Sequence, residues 1–140
     1  MKEVLIKAAM AVIALLAAGA SAPSRAQDSA TADGKALFMK NCAACHQASG
    51  KGIPGAFPAL AGNKFVQGKG ADVATVLLKG RGGMPDFSDS LSDQEIAAIL
   101  SFVRSNWGNQ AAPLSEPEVL ALRDALQVDH FSNGQMSNKH

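Results

Sequence analysis

Apolar residues recur most regularly at Ile96, Ile99, Leu100 and Val103, the i, i+3, i+4, i+7 spacing of one helical face. Ser92 and Glu95 stand before this run as an S-x-x-E capping box, so a helix is predicted to start there and to end near Asn106, Trp107 and Gly108. A shorter helical pattern, Val73, Val76 and Leu77, spans Ala71 to Lys79 and stops at Gly80. Upstream, Asp33 is a good helix cap, and Lys35, Ala36, Leu37 and Phe38 carry the chain towards two cysteines. Near the C-terminus, Val119, Leu122 and Leu126 form a sparse stripe in a segment that opens on Pro117, which predicts a helix over 117–126. No run alternates as a strand would, so the fold class expected is all-α. Between Gly50 and Gly70 the period is lost among Gly, Pro and Ala with isolated Phe57, Leu60 and Phe65. A loop this long in a small domain needs a rigid surface to wrap, such as a cofactor.

The start of the chain has a different pattern. Lys2 and Lys7 precede an uncharged, Ala-rich stretch from Ala8 to Ala20, and small residues frame Ser24, Arg25 and Ala26. This is the layout of an export signal over residues 1–26, cleaved after Ala26 or, as second choice, after Ala22. An uncleaved anchor is the alternative, weakened because a span needs about 20 strongly apolar residues. The remaining organisation reads as a flexible lead-in (27–32), one domain (33–108) and a C-terminal extension (109–140) with the 117–126 helix and a polar tail. With 140 residues, one compact domain is all that fits.

A formal charge of +1, from 13 basic and 12 acidic residues, gives no support for nucleic-acid binding, which needs many phosphate-neutralising cations on one face. The charges are unevenly placed. Residues 33–81 hold seven basic and two acidic side chains, and residues 82–140 hold three basic and eight acidic.

The candidate chemistry lies in Cys42, Ala43, Ala44, Cys45 and His46, a CxxCH motif read as c-type haem attachment. Helical spacing puts Cys42 and Cys45 on one face, where each thiol can add to a haem vinyl while His46 reaches the iron. Three other readings compete. A thioredoxin-like pair wants a βαβ context, a zinc site needs four ligands for which His130 and His140 are poor candidates, and a simple disulfide leaves His46 without a role. The motif occurs once, so one covalent haem c is expected.

The second axial ligand is sought among the methionines. Met39 is too close to Cys42 and Met136 lies in the polar tail. Met84 follows Gly80, Gly82 and Gly83 and precedes Pro85, a flexible approach and a rigid exit for a thioether opposite His46. A core methionine beneath a turn is the alternative reading of Met84, and His130 or His140 are the other ligand candidates.

On these residues the chain resembles the class I cytochromes c over about 33–108: attachment helix, Pro-containing loop, short helix, Met loop and last helix occur in that family's order. The resemblance implies that Pro58, in Phe57-Pro58-Ala59-Leu60, offers its carbonyl to the ligand histidine, and that Leu60 packs on the haem. It also implies a crossing of the first and last helices at Gly34, Phe38 and Phe102. GRGGMPDF and LSDQEIAAILSFVRSNWGN look most like haem domains that accompany periplasmic dehydrogenases acting on alcohols and sugars. Phe57, Leu60, Phe65 and Leu77 are then expected as apolar walls, and Trp107, Lys64 and Arg81 as candidates for the propionate edge, with plain surface or helix-end packing as their alternative.

With His46 and Met84 on the iron, no open site remains, and the implied function is periplasmic electron transfer between Fe(II) and Fe(III). The implied partners are redox proteins: a periplasmic dehydrogenase as donor, and a terminal oxidase or other cytochrome as acceptor. Neither nucleic acid nor a stable membrane span after leader cleavage is expected. Mobile carrier and bound dehydrogenase subunit both fit. A haem enzyme or gas-binding cytochrome, which requires Met84 to be displaceable, is the alternative. Lys51, Lys64, Lys69, Lys79 and Arg81 fall in segments expected to border the haem crevice, and would form a basic rim there.

Overall fold

The computed structural model describes the backbone of residues 25–129 and the side chains of residues 33–129. Residues 1–24, most of the segment expected as an export leader, and His130, Met136 and His140 lie outside the described residues. Five helices follow in order: α1 Arg25–Asn41, α2 Ala43–His46, α3 Gly70–Lys79, α4 Asp93–Ser105 and α5 Glu116–Ala125. Among the described residues there are no strands, only the isolated bridges Ile53–Phe57 and Arg81–Met84, so the fold is all-α.

The long helix α4 organises the core. Its capping box is formed: the Glu95 carboxylate accepts from the Ser92 backbone N–H at 2.9 Å, and Ser92 Oγ accepts from the Glu95 N–H at 3.2 Å. Ile96, Ile99, Leu100, Phe102 and Val103 are buried together with Phe38 of α1 and Leu77 and Leu78 of α3. Each such side chain contributes about 1.5–3 kcal/mol over leaving it in water. At Gly34, α1 lies directly on α4, because a Cβ there would strike the Ala98 carbonyl oxygen and come within 3.0 Å of Phe102 Cβ. Phe38, Phe102 and Trp107 close this crossing as an aromatic trio with ring centroids 5.0–5.6 Å apart.

One boundary differs from expectation. The first helix starts at Arg25, not near Asp33, so the stretch 27–32 expected as a flexible lead-in is helical. Its Ala, Ser and Thr residues carry no apolar stripe to announce a helix, and Asp33 lies inside it rather than at its cap. In the C-terminal extension, the helix expected over 117–126 is present as α5. Helix α5 packs on α3 and α4, with Val119 fully buried and Leu122 and Leu126 half-buried against the same core.

Two buried arginines lock that extension in place. Arg104 donates from Nε to the Ala112 carbonyl (2.8 Å) and from Nη1 to those of Val66 (2.6 Å) and Gly68 (3.0 Å). Arg123, fully buried, pairs with Asp93 at 2.7 Å. Their burial alters the charge picture, because residues 82–129 keep eight acidic side chains exposed or half-exposed while both of their cations are inside.

Candidate functional site

Helix α1 delivers Cys42, and the single turn α2 follows it to Cys45 and His46. The two cysteines are unlinked, Cys42 half-buried and Cys45 exposed. Burial, and secondarily the neighbouring Cys45, push the Cys42 thiol up to about 11. Cys42 is therefore a neutral thiol at neutral pH. Among the described residues no three His, Cys, Asp or Glu side chains converge as a metal-ion site.

His46 is 7% exposed, and its Nδ1 lies 3.0 Å from the Pro58 carbonyl oxygen. That contact makes Nδ1 the protonated nitrogen and leaves Nε2 as the lone-pair donor, with no hydrogen bond of its own among the described residues. The loop is wound so that Pro58 can reach. Gln47 has φ 64°, Gly50 and Gly52 have φ 66° and 62°, and the Gly52 N–H donates to the His46 carbonyl at 2.9 Å. Leu60 and Ala61 both donate to the Gly50 carbonyl, at 2.7 and 2.9 Å. From below, Asn109 Nδ2 holds the carbonyls of Leu60 (2.9 Å) and Val103 (2.8 Å), tying the loop to the end of α4.

The candidate Met84 lies in the hairpin between α3 and α4. Gly80 caps α3 with φ 70°, and Arg81 and Met84 exchange both backbone hydrogen bonds at 3.0 Å. The Phe87 N–H returns to the Leu77 carbonyl at 2.7 Å and closes the loop. Met84 is half-buried, and it packs on the same core cluster as Cys42, Leu60 and Phe87, a cluster that includes Leu77.

The structure distributes the other candidates unevenly. Phe57 and Phe65 expose 39% and 42% of their surface, and Ile53 exposes 40%. Arg81 lies over the Phe65 ring at 4.9 Å, a cation–π contact on the loop face. Trp107 belongs to the aromatic trio, and its ring also lies under Gly50, where a Cβ would come within 2.6 Å of Cδ2. Lys64 is exposed.

This donor set fits a covalently held haem. Two thiols and an oriented imidazole stand within five residues of each other, and the Met84 thioether packs on the same core cluster as Cys42. Ile53, Phe57 and Phe65 leave large apolar side chains in water, surface that would gain from being covered by a large apolar ring. Cys42 and Cys45 would hold the ring, His46 and Met84 would bind the iron, and the bound group would supply a reversible one-electron couple.

Sequence reading missed Arg104, Arg123 and Asn109. The signal was present for the arginines: Arg104 falls four residues after Leu100, and Arg123 four after Val119, each on an apolar stripe.

Comparison with known proteins gives the same picture. The profile of the family described as "Cytochrome C oxidase, cbb3-type, subunit III" matches residues 29–103. The cytochrome c subunit of a quinone alcohol dehydrogenase from Gluconacetobacter polyoxogenes is 34% identical over 111 residues, covering 69% of this chain and 24% of that protein. The cytochrome subunit of fructose dehydrogenase from Gluconobacter japonicus is 37% identical over 122 residues, 74% of this chain and 25% of that protein. Cytochrome c-552 of Thermus thermophilus is 34% identical over 115 residues, 67% of this chain and 76% of that protein. The chain thus spans about a quarter of the dehydrogenase subunits and about three quarters of the smaller cytochrome.

Proposed function

Because the chain belongs to the cytochrome c family described as "Cytochrome C oxidase, cbb3-type, subunit III", we propose that it works as a periplasmic single-haem electron carrier with His46 and Met84 as axial ligands. The observation that carries this reading is the contact of His46 Nδ1 with the Pro58 carbonyl at 3.0 Å, which fixes the ring and presents Nε2. The rigid loop around His46 suits electron exchange, since a site that keeps its shape in both oxidation states adds little reorganisation to each transfer.

Residues 1–26 act as the export leader, supported by Lys2 and Lys7 ahead of the Ala-rich stretch. No helix among the described residues is long and apolar enough to cross a membrane. The donor is a periplasmic dehydrogenase and the acceptor a terminal oxidase or another cytochrome; the dehydrogenase subunits among the relatives support this pairing. The exposed Lys51, Lys64, Lys69, Lys79 and Arg81 form the face that meets an acidic partner. Size exclusion of the native complex separates a mobile carrier from a bound subunit. The reading itself is tested by covalent haem staining and a potentiometric titration of the exported protein. A single one-electron wave is expected, and the absence of covalent haem would overturn it.

A further inference from the structure

The hairpin that carries Met84 has little burial of its own. Arg81, Gly82, Gly83, Pro85 and Asp86 are all exposed, and Met84 is only half-buried. Segments with so few buried contacts open at low cost unless something pins their ends. The upstream end continues from α3. The downstream end, 87–92, turns through the Ser90 and Leu91 N–H groups onto the Phe87 carbonyl before α4 begins. Arg123 grips this turn from α5. Its Nη1 donates to the Ser88 carbonyl at 3.0 Å, its Nη2 to the Leu91 carbonyl at 3.3 Å, and its Nε to Asp93 Oδ1 at 2.7 Å. The fourth bond, from Nη1 to the Asp129 carbonyl at 2.7 Å, fastens the segment that follows α5 to the same guanidinium.

A fully buried arginine is costly unless every donor direction is used, and here three of four acceptors lie in residues 88–93. We propose that Arg123 is a positioning residue for Met84: through the 87–92 turn and the first residue of α4 it limits how often the Met84 hairpin swings away from the iron. The C-terminal extension thereby serves the redox site rather than merely lengthening the chain. This inference rests on the assignment of Met84 as axial ligand.

The test uses imidazole binding to the ferric holoprotein. An added ligand reaches the iron only when the thioether has left, so its apparent affinity scales with the open fraction of the hairpin. Arg123→Lys keeps the charge but loses the planar fork, and it should raise imidazole affinity about tenfold, with partial loss of the far-red methionine-to-ferric-iron absorption band. In a Met84→Ala background the hairpin no longer gates the iron, and the same substitution should change the affinity less than about twofold. If Arg123→Lys yields no holoprotein, Asp93→Asn, which removes the charge facing Arg123 Nε, carries the same comparison. An unchanged affinity, or an equal rise in both backgrounds, would overturn the clamp while leaving the Met84 assignment intact. If Met84→Ala itself fails to raise imidazole affinity, the ligand assignment falls and the clamp falls with it.

Discussion

Gly52 and Pro58 are packed so closely that a Cβ on Gly52 would lie 2.6 Å from the Pro58 carbonyl oxygen, the atom that accepts from His46. Gly52 also holds φ 62°, a left-handed conformation that side chains resist. Gly52→Ala is therefore expected to push the acceptor away from His46 and to destabilise the protein by about 1–3 kcal/mol. A weaker hydrogen bond makes the imidazole a poorer donor to the ferric iron, so the reduction potential should rise. Thermal unfolding and potentiometry check both effects, and two unchanged values would contradict the proposed coupling.

Gly34→Val tests the crossing of α1 and α4. The new side chain would meet the Ala98 carbonyl and Phe102 Cβ, and overpacking of this kind costs about 1–3 kcal/mol. The denaturation midpoint should fall, and an unshifted midpoint would show that the helices do not meet at this glycine.

Cys42→Ala and Cys45→Ala separately remove one thioether each. Both should sharply lower the yield of holoprotein, and the double variant should give no haem-stained band after denaturing electrophoresis. A normal yield from the double variant would rule out covalent attachment through these residues.

Much of this was legible in the chain itself, for identifiable reasons. The motif from Cys42 to His46 is a local spacing, and α3, α4 and α5 have apolar periods or caps that can be read from the sequence without tertiary information. The start of α1 was not legible, because residues 25–32 lack such a period. Nor was the winding of residues 47–69, which depends on long-range bonds from Arg104 to Val66 and Gly68 and from Asn109 to Leu60. Residue type argued against finding Arg104 and Arg123 in the interior, and only their position on apolar stripes pointed the other way.

Burial of those two arginines sharpens the charge contrast between the exposed cations of residues 33–81 and the acidic surface of 82–129. Reduction by the physiological donor should slow as salt rises, because exposed charges are screened over about 8 Å at physiological ionic strength. Lys51→Glu and Lys79→Glu should each reduce the association rate at low salt. Stopped-flow rates that are independent of salt and of both reversals would remove the basic face as the docking surface.

With His46 and Met84 as the two axial ligands, as proposed, the iron would be closed to exogenous gas. Carbon monoxide binding to the reduced holoprotein reads this out. The wild-type spectrum should not change under carbon monoxide, and Met84→Ala should bind the gas and show a lower reduction potential. Ready binding by the wild type, or a Met84→Ala protein that remains closed with an unchanged potential, would contradict the account.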